Sequence, residues 1–416
     1  MKIVGEIEFP GDKSISHRAV CFSFLSKSPV CIENLSNGED VKNTISVFQQ
    51  CGLEYHRSEN KHFFSRNEFI HPKDDLNCGN SGTTARLLLG IMSGLKLQSK
   101  IIGDQSLSNR PMNRVINPLI KMGAKISSKN GYLPINTYPS EIFGINYALP
   151  IASAQIKSSL LYSGLFAKGK TVLKGKINSR NHTELMMKDI GINIDINNKS
   201  IILNPIDQQI EMKNCTIAGD ISTASFFIVA ATLLKGSNLS IKNLLYNSGR
   251  IKFVEIMKKM GAKIELINQY KINNEDVVDM NVEYSDNLNS INLTENDIPL
   301  IIDEIPIFCL LSCYANGETK ISGAKELRFK ESDRIKALFN NFHSIGVEIY
   351  EYDDGLVIKG PAILKPGKIN TYNDHRIAMT FEIAKIVSNL NLNINNNECI
   401  NISSPEFFDL LKKVIK

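Results

Sequence analysis

Two phased repeats constrain this chain more than any other feature. An apolar stripe at helical spacing, then glycine, then a short β-favouring run recurs five times, with glycines at Gly52, Gly123, Gly191, Gly261 and Gly346. Consecutive glycines are separated by 68 residues (Gly123 to Gly191) to 85 residues (Gly261 to Gly346). Each fits the position just after a helix, where a left-handed backbone penalises a Cβ atom. The stripe PEFFDLLKKVI predicts a last helix.

A second series runs in phase with the first. Six times, a small polar cluster opens an apolar helix that precedes another strand, at Ser14, Ser81, Ser153, Ser222, Glu304 and His375. These helices are apolar on nearly all sides, which predicts burial, whereas the first series carries a charged face. The chain is therefore predicted to be an α/β protein of six units of about 70 residues, each with an inner and an outer helix.

Composition narrows the class of protein. The chain has 416 residues, 43% of them hydrophobic and 22% charged, enough for two or three domains. Its net charge of +5 is too small to indicate a nucleic-acid or membrane partner. The start, MKIVGEIEFPGDK, does not resemble a signal peptide, and no apolar run reaches the length of a membrane span. We expect a cytoplasmic protein that binds neither nucleic acid nor membrane.

The eight cysteines contain no CxxC pair and no Cys/His ligand cluster. This spacing predicts neither a disulfide framework nor a metal site. Most of the cysteines are expected to be small buried residues in a reducing compartment.

Cations recur near the starts of the inner helices. Helix starts offer unpaired N–H groups and the positive end of the helix dipole, which favour phosphate or carboxylate. For any single cation, a solvated surface position is the alternative. The cations are Lys13, Arg18, Arg86, Arg110, Lys157, Lys330, Arg334 and Arg376.

Carboxylates also occur at these positions. Asp303 and Glu304 open the apolar helix DEIPIFCLLSC, Glu331 lies between Lys330 and Arg334, and Asp374 precedes a helix. Such groups serve either as helix caps and salt-bridge partners or in proton transfer, and both roles remain open.

One motif match is rejected. GLFAKGKT, residues 164–171, satisfies the spacing of a phosphate-binding loop, but that loop follows a strand and opens a helix. Here a predicted helix precedes the motif and a predicted strand follows it. No GxGxxG motif follows a predicted strand either, so the sequence lacks the main motif that would indicate an enzyme using a nicotinamide dinucleotide.

In combination, the blocks PGDKSISHRA, GNSGTTARLLLG, NRPMNRV, SAQIKSSLL, SRNHTE, GDISTASFF, IDEIP, RFKESDR and YNDHRIAM are specific. Through them nearly the whole chain resembles the 5-enolpyruvylshikimate-3-phosphate synthase family. The resemblance implies a two-domain inside-out α/β barrel of six βαβαββ units, three per domain. We expect one domain at 13–217, the other at 1–12 plus 218–416, and an active site in the interdomain cleft.

The resemblance implies transfer of the carboxyvinyl group of phosphoenolpyruvate to the 5-hydroxyl of shikimate 3-phosphate, releasing phosphate, in aromatic amino-acid biosynthesis. It implies no cofactor and no metal, and we expect a monomer with these two small-molecule substrates.

Site residues carry over block by block. The residues implied for shikimate 3-phosphate are Lys13, Ser14, Arg18, Ser153, Ala154, Gln155, Ser179, Asp303 and Lys330, with Arg180 as a plausible addition. Those implied for phosphoenolpyruvate are Lys13, Asn80, Gly82, Arg110, Gln155, Glu331, Arg334 and Arg376. At Gly82 a Cβ atom would crowd bound substrate.

Four of these residues are implied to be catalytic. Asp303 would accept the proton of the 5-hydroxyl and Glu331 would protonate the methylene carbon. Lys330 would bind the reacting hydroxyl and Lys13 would contact both substrates, with Glu304 and His375 as secondary participants. This chain has YNSGRIKF where many relatives have a different block. Arg250, which lies in this segment, is therefore not assigned to the site.

Two alternatives remain. A UDP-N-acetylglucosamine enolpyruvyltransferase shares this fold but typically uses a loop cysteine, and this chain has no cysteine from Gly79 to Ile210. The other alternative is a different class on the same repeats, either an RNA-terminal phosphate enzyme or a non-catalytic anion-binding module. A non-catalytic module would not be expected to keep Asp303, Lys330, Glu331 and Arg334 together.

Overall fold

A computed structural model describes every residue, Met1–Lys416, and the chain divides into two compact units. Unit A consists of Lys13–Ile217 and the short segment Ile272–Glu275. Unit B consists of Met1–Asp12, Ala218–Lys271 and Asp276–Lys416. The chain therefore begins in unit B, enters unit A after Asp12 and returns to unit B after Ile217.

The first half of the chain contains thirteen strands and seven helices. In chain order they are β1 (Val4–Glu8), α1 (Lys13–Leu25), β2 (Val30–Glu33), α2 (Glu39–Gln49), β3 (Leu53–Ser58), β4 (Lys61–Arg66), β5 (Leu76–Asn77), α3 (Gly82–Gly94), β6 (Ser99–Ile102), α4 (Gln105–Ser108), α5 (Asn113–Lys121), β7 (Lys125–Lys129), β8 (Tyr132–Tyr138), β9 (Asn146–Leu149), α6 (Ala154–Gly164), β10 (Thr171–Gly175), α7 (His182–Asp189), β11 (Ile194–Ile196), β12 (Ile201–Leu203) and β13 (Cys215–Thr216).

The second half contains eight strands, seven α-helices and two 3-10 helices. They are α8 (Ile221–Leu233), β14 (Asn238–Leu245), α9 (Lys252–Met260), β15 (Lys263–Ile272), β16 (Glu275–Glu283), α10 (Ile298–Ile301), α11 (Ile305–Ser312), β17 (Gly317–Ile321), a 3-10 helix (Lys325–Phe329), α12 (Arg334–Ser344), β18 (Ile349–Tyr352), β19 (Gly355–Gly360), β20 (Gly367–Ile369), α13 (His375–Ser388), β21 (Leu392–Ile394), a second 3-10 helix (Asn397–Ile402) and α14 (Phe407–Val414).

Six sheets correspond to the six predicted repeats, three in each half of the fold. Four of them share one arrangement, a parallel edge pair followed by an antiparallel hairpin: β13-β2-β4-β3, β5-β6-β8-β7, β9-β10-β12-β11 and β1-β14-β16-β15. In the fifth, β17-β19-β18, an isolated parallel bridge from Leu293 to Ile321 stands where the edge strand would be. The repeat count predicted from the glycines is confirmed.

The sixth repeat is shortened. Its sheet is the parallel pair β20-β21 alone, and the second 3-10 helix and α14 follow it instead of a hairpin. The predicted last helix is therefore present, and it is the outer helix of this repeat. After α14, Ile415 bridges to Ile3, and the backbones of Lys2 and Lys416 exchange two hydrogen bonds of 2.9 Å.

The six inner helices form the cores of the two units, as their apolar sequences predict. In unit A, α3 packs against α6 so closely that a Cβ atom at Gly90 would lie 2.2 Å from the Ser159 carbonyl oxygen. In unit B, α8, α11 and α13 pack against one another, and every residue of α11 is buried. The inner helices are thus fixed by packing, which in turn fixes where their first residues lie.

The five repeat glycines all have positive φ angles, between +78° and +106°, as predicted for residues that end the outer helices. The GLFAKGKT segment lies between α6 and β10, so a helix precedes it and a strand follows. Its rejection as a phosphate-binding loop is confirmed. All eight cysteines are free, and none of the helices is long and apolar enough to cross a membrane.

Candidate active site

Arg18, on α1 in unit A, is a buried cation that pairs with no carboxylate. It is 2% exposed, and its guanidinium donates to neutral acceptors: the Thr183 Oγ1 at 2.6 Å, the Ser14 carbonyl at 2.8 Å and the Ser158 Oγ at 2.9 Å. Buried charges in proteins are normally paired with opposite charge. Arg18 is therefore a positive charge that an anionic ligand would neutralise.

Around the start of α1 lie further predicted phosphate ligands. Lys13 Nζ lies 3.0 Å from an oxygen of Asp40, and Arg180 Nη1 donates to the Ser14 Oγ at 3.3 Å. The Ser179 Oγ is buried and has no hydrogen-bond partner, although a buried hydroxyl normally has one. The structure thus brings Ser14, Arg18 and Arg180 together and leaves the Ser179 hydroxyl unsatisfied.

The start of α6 provides backbone donors. Ser153 occupies the N-cap position in an extended conformation, and its side chain makes no capping hydrogen bond. Ala154, the first residue of the helix, has only its backbone to offer. An anion at this helix start would therefore meet uncapped N–H groups.

A second group in unit A surrounds the start of α3. Arg110 Nη2 donates to the Asn80 Oδ1 at 2.5 Å, and Arg86 Nη1 donates to the Gln155 Oε1 at 2.8 Å. A Cβ atom at Gly82 would lie 2.7 Å from Arg86 Nη1, so the missing side chain makes room for this arginine. The sequence placed Arg86 among the cations near helix starts, but the family resemblance did not assign it to either substrate.

In unit B, Arg334 is held by carboxylates. Its guanidinium donates to both oxygens of Asp374, at 2.8 and 3.2 Å, and to Glu331 Oε2 at 2.6 Å. Burial alone would lower the pKa of Arg334, but Asp374 and Glu331 raise it above its ordinary value. Its Nη1 is buried without a hydrogen-bond partner and lies 3.6 Å from Asp303 Oδ1.

Asp303 lies between two arginines. Besides Arg334, Arg376 Nε lies 3.8 Å from its Oδ1, and Arg376 Nη1 donates to its carbonyl oxygen at 3.1 Å. The Asp303 carboxylate thus has a guanidinium nitrogen of each arginine within 4 Å. Helix capping does not account for this position, because the N-cap of α11 is Glu304, and the Glu304 side chain makes no capping bond.

Lys330 follows the first 3-10 helix of unit B. Burial lowers the pKa of Lys330 below its ordinary value, and Asp303 is the strongest opposing influence. The residue therefore lies among the same charged groups as Asp303, Glu331 and Arg334.

Helix starts differ in whether an anion would find free N–H groups. At α3, α8 and α13 the side chains of Ser81, Asp220 and Asp374 accept hydrogen bonds from backbone amides of the first turn. The expectation that the first backbone N–H groups are unpaired is therefore wrong for these three helices. Side chains of this type cap helices well, and at these starts they satisfy the amides that a ligand would otherwise use.

Six of the eight cations near the predicted helix starts do not lie in solvated surface positions, so that alternative is wrong for them. All six are buried, with exposures between 1% and 6%: Arg18, Arg86, Arg110, Lys157, Arg334 and Arg376. Lys13 and Lys330 are half-buried.

Sequence reasoning also left Arg250 unassigned. This arginine is buried, its Nη1 lies 3.1 Å from Asp12 Oδ2, and its Nη2 donates to the Ser222 Oγ at 2.6 Å. Ser222 in turn donates to Glu304. The partners lie far away in the chain, so no local pattern pointed to this network. No cluster of three or more His, Cys, Asp or Glu side chains is arranged to hold a metal ion.

Comparison with solved structures gives the class of fold. The structure is similar to the enolpyruvyl transferase NikO from Streptomyces tendae, with a TM-score of 0.77 and 16% identity over 99% of this chain and 95% of that one. It is also similar to the EPSP synthase from Acinetobacter baumannii, with a TM-score of 0.86 and 32% identity over 99% of this chain and 96% of that one. The fold is thus that of the enolpyruvyl transferases.

Sequence comparison gives the family. The family model for EPSP synthase (3-phosphoshikimate 1-carboxyvinyltransferase) matches residues 1–411. A 3-phosphoshikimate 1-carboxyvinyltransferase from Thermodesulfovibrio yellowstonii is 41% identical over 99% of this chain and 97% of its own length, and one from Thermotoga neapolitana is 38% identical over 100% and 98%. The chain belongs to the EPSP synthase family. The family, the transferase class and the reaction predicted from the sequence are therefore confirmed.

Proposed function

We propose that the residues assembled in units A and B act on one pair of substrates, transferring the enolpyruvyl group of phosphoenolpyruvate to the 5-hydroxyl of shikimate 3-phosphate. The observation that carries the proposal is Arg18, which is buried and has no anionic partner in the chain. A substrate phosphate would supply that charge.

Unit A serves mainly in binding. Lys13, Ser14, Arg18 and Ser179 bind shikimate 3-phosphate, with backbone donors from the start of α6 at Ser153 and Ala154. Asn80, Gly82, Arg110 and Gln155 serve phosphoenolpyruvate, and Gln155 also contacts the acceptor substrate. Support comes from the unsatisfied Ser179 hydroxyl and the hydrogen-bonded group around Arg110.

Unit B supplies the proton-transfer groups. In the addition step, Asp303 takes the proton of the 5-hydroxyl, the oxygen bonds to the central carbon of phosphoenolpyruvate, and Glu331 protonates the methylene carbon. In the elimination step, Glu331 takes back a proton from that carbon, the carbon–oxygen bond to phosphate breaks, and the phosphate leaves with the proton held by Asp303. Lys330 holds the reacting hydroxyl, while Arg334 and Arg376 bind phosphoenolpyruvate. The Nη1 of Arg334, which is buried and makes no hydrogen bond within the protein, supports this role.

The test is release of inorganic phosphate from phosphoenolpyruvate by the purified protein. Release is expected only when shikimate 3-phosphate is present. Turnover with UDP-N-acetylglucosamine in its place would refute the assignment, and binding of both anions without turnover would indicate a non-catalytic module.

We also propose a cytoplasmic monomer. Eight free cysteines fit a reducing compartment. Light scattering after size exclusion should give a mass near 46.4 kDa, and a mass twice as large would contradict the monomer.

A further inference from the structure

We propose that Lys157, with Glu184 as its counter-ion, is a positioning residue, which holds the loop of Ser179 beside the acceptors of Arg18 in the arrangement that receives the phosphate of shikimate 3-phosphate. This inference rests on the proposed function, because it takes Ser179 and Arg18 as ligands of that phosphate.

Lys157 and Glu184 form a buried ion pair inside unit A. The Nζ lies 2.6 Å from the Glu184 Oε1, and each side chain is 1% exposed. Removing two charges from water costs free energy that their attraction often fails to recover, so such a pair is weak evidence for stability. Its neighbours indicate a different use.

The ammonium of Lys157 also donates to the loop between β10 and α7. It reaches the carbonyl oxygens of Ile177 and Ser179, both at 3.2 Å. The ammonium therefore donates hydrogen bonds to two backbone carbonyls, while Glu184, whose oxygens have no hydrogen-bond partner, supplies the opposite charge. These two hydrogen bonds hold the backbone on either side of Asn178, and with it the backbone from which the Ser179 side chain extends. That side chain carries the unsatisfied hydroxyl.

A second bridge lies directly beside the first. Ser158 and Thr183, the chain neighbours of Lys157 and Glu184, are joined by a hydroxyl–hydroxyl hydrogen bond of 2.6 Å. The same two hydroxyls accept from Arg18. Two neighbouring side-chain pairs therefore connect α6 to α7. The first, Lys157 with Glu184, also contacts the loop of Ser179, and the second, Ser158 with Thr183, accepts hydrogen bonds from Arg18.

The decisive variant is the double substitution Lys157→Met with Glu184→Gln, which removes both charges at similar side-chain size. The KM for shikimate 3-phosphate should rise about tenfold, since the loop loses hydrogen bonds from a charged donor, whereas the KM for phosphoenolpyruvate should change less than about twofold. Amides of residues 176–181 should exchange with deuterium faster, even in the protein without substrates. Equal rises in both KM values, or a loop whose exchange is unchanged, would overturn the proposal.

Two further variants separate positioning from loss of stability. Leu161→Ala, a buried site on α6, should lower the melting temperature without changing either KM. Glu184→Gln alone keeps the ammonium on both carbonyls, so it should keep the KM for shikimate 3-phosphate within about threefold. A tenfold rise in this variant would show that charge balance matters rather than the loop, and would overturn the proposal even if the double variant does not fold.

The outcome also distinguishes this inference from the proposed function. If the unsubstituted protein does not use shikimate 3-phosphate, the proposed function fails. If it does, and the double variant has the same KM with a loosened loop, only the positioning role fails.

Discussion

Arg18 in unit A and Arg334 in unit B are both buried arginines, yet their charges are treated in opposite ways. Arg18 is held by two hydroxyls and one carbonyl. Arg334 is held by Asp374 and Glu331, with Asp303 3.6 Å away. Unit A keeps a positive charge that only a ligand can neutralise, whereas unit B neutralises its own and thereby orients its carboxylates.

The difference has an energetic meaning. A buried cation without a counter-charge costs stability in the free protein, and an anion that binds the folded state recovers that cost. A buried arginine among carboxylates stabilises them instead, and removing it leaves a buried negative charge. Substitutions in the two units should therefore differ in which property they change, and four experiments examine this.

The largest effect is expected for the carboxylates of unit B. Asp303→Asn should lower kcat by about 10²- to 10⁴-fold because the proton acceptor is lost, with near-normal folding by circular dichroism. Glu331→Gln should act similarly on protonation of carbon. The exposed Glu348→Gln, in the same unit but paired with Lys359 on the surface, is the control and should keep the full rate. Retained activity in Asp303→Asn would contradict the assignment of proton transfer to unit B.

The next effect concerns binding. Arg18→Met should raise the KM for shikimate 3-phosphate by roughly 10²- to 10³-fold, since a buried charged contact to the ligand is lost. The free energy of unfolding without substrate, measured in urea, should not fall, because no carboxylate loses its partner. A drop of several kcal/mol would mean that Arg18 is neutralised within the protein after all.

Arg334→Met should behave in the opposite way. It leaves Asp374, which is 0% exposed, without its partner, so the free energy of unfolding should fall by about 3–5 kcal/mol. Adding Asp374→Asn removes the isolated charge and should restore part of this loss. If the single variant is as stable as the unsubstituted protein, the contrast between the two arginines is wrong.

The smallest effect is a pH dependence. Burial lowers the pKa of Lys330, so its ammonium loses its proton, and activity should decline, at a lower pH than for an ordinary lysine. Lys330→Arg keeps the positive charge throughout, so its activity, though lower, should extend further into the alkaline range. Profiles of kcat/KM against pH for the two proteins test this, and identical alkaline limbs would exclude Lys330 as the titrating group.

Much of the fold was predictable because its signals are local. A helix that ends in a left-handed glycine leaves a pattern within about one turn, and Gly261 and its four counterparts revealed the repeats. The missing hairpin of the sixth repeat was not predicted, because the helical patterns that revealed the repeats carry no information on how many strands follow each helix.

The sequence blocks shared with the family predicted which residues belong to the site, but they did not predict which distant residues hold them. Arg18 and Thr183 are 165 residues apart, and nothing near Arg18 indicates that its partners are hydroxyls. The same holds for Arg250, whose partner Asp12 lies in the first twelve residues. The capping explanation for Glu304 was wrong for a related reason, since Ser222, from another repeat, takes up one of its oxygens.

The pairing of β1 with β14 has a consequence for synthesis on the ribosome. The strand Val4–Glu8 emerges first, but its partner begins at Asn238, and unit A lies between them. At 5–20 residues per second the first strand waits on the order of 10–50 s with an unpaired edge, exposed to pairing with other chains. Because Lys2 and Lys416 are hydrogen-bonded, the two ends are adjacent, and a rearranged gene can start at Lys13 and append residues 1–12 after Lys416 through a short glycine linker. Made by cell-free translation without chaperones, its product should be soluble in higher yield than the original chain, and an equal yield would show that the waiting strand is harmless.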